Sequence, residues 1–114
     1  MKRGDIWMVD LNPTIGNEIR NEPQRPRPAM ILSSAAFCQV TGLALVVPIT
    51  GGGGQSRNAG YAIPVMGFGL VTTGVARCEQ VRSIDPIGRG ARYVETAPDV
   101  LVDQVLGVID SMLA

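Results

Sequence analysis

The apolar residues of this chain come in short runs that glycine and proline interrupt. Fourteen glycines and eight prolines are spread over 114 residues. Short runs of apolar and β-branched residues between such breakers are typical of β-strands. Pro48 stands inside one run and predicts an edge strand or a bulge there. The pattern predicts strands over 4–11, 28–34, 43–50, 59–65, 71–81 (one strand or a pair) and 82–85, and a short helical turn over 35–40.

The C-terminal segment is the one clear helix. Apolar residues recur at helical spacing between Val100 and Leu113, with acidic residues on the other side. Thr96 and Asp99 have the spacing of a capping box, and Pro98 stands in the predicted first turn. The length of the chain suggests a single domain over 1–114. We therefore expect a mainly β fold, a small curled sheet or barrel closed by one helix.

The composition limits the chemistry that is available. The chain has no histidine, which removes the usual general base and the commonest metal ligand. Cys38 and Cys78 are predicted to be small, buried and reduced. Carboxylates, arginines, hydroxyls and the backbone remain, and we expect no metal or other cofactor. No apolar run has the length of a membrane span and the N-terminus turns polar early, so we expect a cytoplasmic protein.

Charge is unevenly distributed although its net value is zero. Residues 19–92 hold eight arginines and three acidic residues, whereas 93–114 hold four acidic residues and no basic one. Arginine binds phosphate through paired hydrogen bonds, so the bias favours a nucleic-acid ligand. A GC-rich genome, which favours arginine codons, explains the same bias. Much of the charge lies in a proline-rich loop that leads directly into the strand beginning at Pro28.

Four segments stand out in order along the chain, namely 3–18, 27–33, 47–50 and 73–85. They resemble the motifs of the PemK/MazF-like toxins of bacterial toxin–antitoxin modules, and especially the Kid branch. The resemblance covers nearly the whole chain. It implies an SH3-like β-barrel with a C-terminal helix that works as a homodimer. It also implies a metal-independent endoribonuclease that cuts single-stranded RNA, especially mRNA, at short sequences, and a cognate antitoxin that blocks the RNA groove.

The resemblance implies catalytic roles for five residues, namely Arg27, Thr50, Arg77, Glu79 and Glu18. Arg27 would grip the scissile phosphate, and Thr50 would hydrogen-bond the phosphate or the attacking hydroxyl. Glu79 would be the base, and Arg77 would stabilise the transition state or serve as the acid. Their i, i+2 spacing would put both on one face of a strand. Glu18 is a second candidate base.

The same resemblance places seven residues along the RNA groove, namely Asn17, Arg25, Gly51, Ala59, Tyr61, Thr73 and Val75. The loop between Glu18 and Arg27 is about four residues longer than is usual in the family, so Arg25 and Arg27 compete for the phosphate. Asn17 stands where the Kid branch has histidine, and Glu79 replaces an aspartate. Gly51 replaces a residue with a hydroxyl group.

Two other functions are compatible with such a fold. The CcdB toxins poison DNA gyrase without cutting RNA, but the tail 110–114 lacks the terminal tryptophan of that group. An SH3-like adaptor would need clustered aromatic residues in its peptide groove. This chain has five aromatic residues, which are spread along its length. The nuclease hypothesis therefore ranks first.

Overall fold

The computed structural model describes residues 1–12, 14–16, 18–19, 26–51 and 60–114. Within these ranges the chain forms seven strands and two α-helices, with one short 3-10 helix. The strands are β1 (Asp5–Val9), β2 (Arg27–Ile31), β3 (Ala44–Thr50), β4 (Ala62–Pro64), β5 (Val75–Arg77), β6 (Arg82–Ile84) and β7 (Arg92–Thr96). The helices are α1 (Ala35–Thr41) and α2 (Asp99–Leu113), and the 3-10 helix is Cys78–Gln80.

The strands form one antiparallel sheet in the order β4-β5-β3-β2-β1-β7, and β6 also pairs with β3. Strand β3 is therefore central. On one side it pairs with β2, where Ala29 is opposite Pro48. On the other side it pairs with β6 as far as Val46 and with β5 from Ile49 onward.

Of the two alternatives predicted for Pro48, an edge strand or a bulge, the edge strand is wrong, because β3 lies between other strands. Proline lacks the N–H group that a ladder hydrogen bond needs, so it is rare inside a sheet. Here Pro48 stands where one side of β3 changes its partner from β6 to β5. This change of partner is the place along a central strand where a missing donor costs least.

Helix α2 covers one face of the sheet. It buries Leu101, Val102 and Val105 against a core that includes Met30 and Ile49. The other face carries a second core around Val9, Ala29, Ile31 and Val46. The period-2 alternation of β2 separates the two cores, because Ala29 and Ile31 point away from the helix and Met30 points towards it.

The predicted capping box is not formed. The N-cap of α2 is Pro98, which makes no side-chain cap hydrogen bond. Thr96 belongs to β7 instead, and its Oγ1 donates to Asp5 Oδ1 at 2.9 Å. Thr96 is therefore paired with β1 in the sheet instead of capping α2 as the local pattern predicts.

Other elements also differ from the prediction. Strand β7 was not predicted, although Tyr93, Val94 and Thr96 are good strand formers. The segment 71–81 contains only a three-residue strand, followed by the 3-10 helix. The predicted turn over 35–40 is helix α1, which Ser34 caps by accepting from the Phe37 N–H. In the described part of the chain, no helix is long and apolar enough to cross a membrane.

The contact between α2 and the sheet can be tested with two leucines of the same helix. Leu101 is fully buried, whereas Leu113 is 82% exposed. We expect Leu101→Ala to lower the free energy of unfolding by about 2–5 kcal/mol, because it leaves a cavity in the core. The control Leu113→Ala should change it by less than about 0.5 kcal/mol. Equal losses in chemical denaturation would contradict this packing.

Candidate active site

Two catalytic candidates lie at the same end of neighbouring strands. Arg27 begins β2 and Thr50 ends β3. The register pairs Ala29 with Pro48, so its continuation brings Arg27 opposite Thr50. Arg27 is also paired with Val9 of β1, and Thr50 is paired with Val75 of β5. Antiparallel pairing thus brings together residues that are 23 positions apart in the sequence.

A cavity of about 390 Å³ opens at this end of the sheet. Thr72, Val71 and Val94 form one side, and Met8 and Ile49 contribute apolar surface. Four of the residues predicted to act on RNA line it, namely Arg27, Thr50, Gly51 and Thr73. The cavity combines apolar walls with arginine and hydroxyl groups, a composition suited to a ligand with flat apolar parts and anionic groups.

Arg77 and Glu79 form a half-buried ion pair beside this end of the sheet. Arg77 donates to Glu79 Oε2 from Nη2 at 2.7 Å and from Nε at 3.0 Å. Their side chains are 22% and 24% exposed. The prediction that both lie on one strand face is wrong, because Arg77 ends β5 and Glu79 lies in the 3-10 helix. The turn of that helix nevertheless brings the two side chains into contact.

Strand register connects the ion pair to Thr50. Residues directly opposite in an antiparallel ladder share a face, as do residues two apart in one strand. Thr50 is opposite Val75, and Arg77 follows Val75 by two positions. Val75 is only 1% exposed. Its side chain is therefore a buried spacer between Thr50 and Arg77, whereas its predicted place was along the RNA groove.

The neighbours of the ion pair hold two further segments in place. The Cys78 N–H donates to the Tyr61 carbonyl at 3.0 Å, which fixes Tyr61 with 39% of its surface exposed. Gln80 Oε1 accepts from the Ile19 N–H at 3.1 Å, which anchors the segment after Glu18. The 3-10 helix therefore connects Tyr61, which precedes β4, and Ile19 to the ion pair.

Glu18 lies in a tight turn of its own. Its N–H donates to the Ile15 carbonyl at 3.1 Å, and its Oε1 accepts from the Ile15 N–H at 3.0 Å. Among the described residues, the hydrogen bonds found for Glu18 stay within this turn. Asn17, Arg25 and Ala59, which were also predicted as site residues, lie outside the described ranges.

Gly74 makes the junction beside Thr50 possible, a role that the sequence did not reveal. Its φ is +110°, and a Cβ built on it would lie 2.1 Å from the Thr50 carbonyl oxygen. Any side chain at this position would therefore overlap the backbone of Thr50. A glycine between Thr73 and Val75 was a visible signal, because glycine inside a strand often marks a close backbone approach.

The two cysteines are free thiols in different surroundings. Cys78 is buried between Arg77 and Glu79, whereas Cys38 is partly exposed. Burial, with a smaller contribution from the Glu79 carboxylate, raises the pKa of the Cys78 thiol to about 11. The predicted burial is thus confirmed for Cys78, whereas Cys38 is only partly buried. Across the described ranges, no three histidine, cysteine, aspartate or glutamate side chains are grouped so as to hold a metal ion.

The close approach at Gly74 gives a matched pair of variants. Gly74→Ala and Gly60→Ala both place alanine at positive φ, but a Cβ on Gly60 meets nothing within 4 Å. We expect Gly60→Ala to cost about 1–2 kcal/mol, the penalty of a left-handed conformation. Gly74→Ala should cost clearly more, because it also displaces the backbone of Thr50. Equal free energies of unfolding would contradict the close contact.

The thiols give a second test. At pH 7.5, less than about 1% of a thiol with a pKa of about 11 is ionised. The ionised thiolate is the form that reacts. We expect a maleimide to label Cys38 in the folded protein and to label Cys78 only after denaturation. Mass spectrometry of the labelled peptides measures both. Equal labelling rates in the folded state would contradict the burial of Cys78.

Comparisons with known proteins agree with this architecture. A family model described as "PemK-like, MazF-like toxin of type II toxin-antitoxin system" matches residues 2–113. Endoribonuclease PemK of Escherichia coli is 45% identical over 99% of this chain and 82% of its own length. Endoribonuclease toxin ChpB of Escherichia coli strain K12 is 38% identical over 92% of this chain and 87% of its own length.

Solved structures show the same fold. MazF from Deinococcus radiodurans superimposes with a TM-score of 0.87 at 27% identity, covering 99% of this chain and 96% of that one. A MazE-MazF structure from the same organism gives a TM-score of 0.77 at 25% identity, covering 99% and 94%. The predicted small β-fold with a C-terminal helix is therefore confirmed.

Proposed function

The chain belongs to the PemK-like, MazF-like toxins of type II toxin–antitoxin systems, and we propose that this toxin endoribonuclease cuts single-stranded RNA without a metal ion. The ribose 2′-hydroxyl attacks the adjacent phosphate, and the 5′-oxygen of the next nucleotide leaves. The products are a 2′,3′-cyclic phosphate and a free 5′-hydroxyl. The observation that carries the proposal is the cavity lined by Arg27 and Thr50, together with the Arg77–Glu79 ion pair two residues along β5 from the partner of Thr50.

Arg27 holds the scissile phosphate. Its place at the start of β2, paired with Val9, gives its backbone a fixed position at the rim of the cavity. A guanidinium offers paired donors that match two phosphate oxygens. Thr50, 8% exposed at the end of β3, adds a hydroxyl within the same cavity. This arrangement favours Arg27 over Arg25 as the phosphate clamp.

Glu79 removes the proton from the 2′-hydroxyl. In the structure both Arg77 donors point to the same oxygen, Glu79 Oε2. A phosphate that binds Arg77 competes for those donors and frees the lone pairs of Oε2 to accept a proton. Arg77 then stabilises the extra negative charge on phosphorus. Glu18 is the weaker candidate base, because its Oε1 already accepts from the Ile15 N–H in an exposed turn.

The protein acts with two kinds of protein partner, a second copy of itself and a cognate antitoxin. Large apolar side chains that are more than three-quarters exposed supply surface for such contacts. A MazF relative of the same fold has been solved with MazE, and the matching family is that of toxin–antitoxin systems. The exposed apolar residues are Ile15, Val40, Met66, Val71, Ile87 and Leu113.

The relatives argue against the gyrase-poisoning alternative. The related proteins PemK, ChpB and MazF are named as endoribonucleases, and they align over most of both chains. A toxin that acts only by binding gyrase would have no evident need for the half-buried Arg77–Glu79 ion pair beside β3. The alternative of an SH3-like adaptor is not supported either, because the matching family is one of toxins.

The nuclease proposal is tested with a long single-stranded RNA in excess EDTA. We expect cuts at defined sequences that leave 2′,3′-cyclic phosphate ends, mapped by primer extension and end analysis. Arg27→Ala should lower kcat/KM at least about 100-fold, because a donor to the charged transition state is lost. Glu79→Gln should lower kcat by about 10²–10⁴-fold, because the general base is lost.

Lys2→Ala is the matched control, since it also removes one positive charge but from a side chain that is 63% exposed. It should keep the activity of the unchanged protein. Intact RNA with a protein that still arrests growth would overturn the nuclease proposal and point to a protein target. If Arg27→Ala cuts RNA as fast as the unchanged protein, the nuclease proposal stands, but Arg27 is not part of its site.

A further inference from the structure

We propose that Glu95 of β7 is a positioning residue that holds the segment Val71–Thr73 as a fixed wall of the RNA site. The inference rests on the proposed function, because it concerns how the same cavity binds RNA. Three hydrogen bonds carry it, and all of them end on the Glu95 carboxylate. We call this arrangement the Glu95 latch.

The Glu95 latch uses both carboxylate oxygens. Oε1 accepts from the Val71 N–H at 3.0 Å, and Oε2 accepts from the Thr72 N–H at 2.8 Å. Oε2 also accepts from the Thr72 hydroxyl at 2.5 Å. Two consecutive backbone amides and one side chain are thus fixed by a single anion, and hydrogen bonds to a charged group are stronger than neutral ones.

The latch connects distant parts of the sheet. Val71 and Thr72 lie in the connection between β4 and β5, at one end of the strand order, and Glu95 lies on β7 at the other end. The bonds therefore join the two ends of the strand order rather than strands that are already paired. Val71, Thr72 and Thr73 line the cavity, and Thr73 is one of the residues predicted to contact RNA.

The segment also leads directly into Gly74, whose backbone approaches Thr50. The wall is therefore held at two points, by Glu95 on one side and by the Gly74–Thr50 contact on the other. Between them Thr73 has little freedom to move. A groove that is fixed before RNA arrives binds RNA at a lower entropic cost.

The protonation behaviour of Glu95 agrees with this geometry. Burial by itself raises the pKa of Glu95, but the hydrogen bonds from Thr72 and Val71 outweigh it and lower the pKa below the ordinary 4.5. The carboxylate is thus stabilised as the anion that the three donors require.

The latch is tested with Glu95→Ala, which removes all three acceptor contacts. Amide hydrogen exchange at Val71 and Thr72 should speed up by about tenfold or more, because both amides lose their acceptor. The KM for a short single-stranded RNA should rise by about tenfold while kcat changes by less than about threefold, because lost binding that is common to substrate and transition state raises KM alone.

Three further variants make the result specific. Glu95→Gln keeps an acceptor of similar size and should give a KM between those of the unchanged protein and Glu95→Ala. Thr72→Val removes only the hydroxyl bond and keeps the test possible if Glu95→Ala does not fold. Asp103→Ala removes one exposed acidic residue from α2 and should leave the KM unchanged.

The sign of the effect separates positioning from simple charge. Removing an anion near a phosphate backbone strengthens electrostatic binding, so a purely electrostatic Glu95 would give a lower KM after substitution. Faster amide exchange with an unchanged or lower KM overturns the proposal. If the unchanged protein does not cut RNA, the proposed function itself is overturned, and with it the role of the latch.

Discussion

Strand β3 is the constraint on which the rest of the structure depends. It forms hydrogen bonds with β2 on one side and with β6 and then β5 on the other, and it contributes to the cores on both faces. A strand in this position has to be apolar along most of its length. Thr50, at its end, is the polar exception. The proposed catalytic end of the protein is therefore the end of its most buried strand.

This position explains how a chain without histidine can assemble the proposed site. Arg27 and Arg77 are placed by strands that β3 holds, and Glu79 is placed by the turn that follows β5. Their backbones are fixed by ladder hydrogen bonds and by the buried spacer Val75. The half-buried ion pair holds the Glu79 carboxylate partly out of bulk water, and in the proposed reaction a phosphate competes with it for Arg77. Preorganised charge of this kind stabilises a transition state at little cost in reorganisation.

A small sheet must also hold the parts of a site together at its open end. Backbone pairing connects neighbouring strands, but it leaves the β4–β5 connection and β7 without a ladder between them. The Glu95 carboxylate supplies hydrogen bonds across that gap, and Gly74 permits the close backbone contact with Thr50. Both contacts act on the backbone of residues 71–74. Neither Glu95 nor Gly74 therefore has to touch the ligand in order to shape the cavity.

The sequence by itself determined the strand-rich class, the C-terminal helix and, through ordered motifs, the family and most candidate site residues. Those features depend on local periodicity and residue chemistry, which neighbouring positions carry. Tertiary structure alone decided that Thr96 pairs within the sheet instead of capping α2, that Val75 is buried, and that Glu79 meets Arg77 from a 3-10 turn. It also decided that Glu95 reaches Thr72. Each of these depends on contacts between elements far apart in the chain, and no local pattern specifies such contacts.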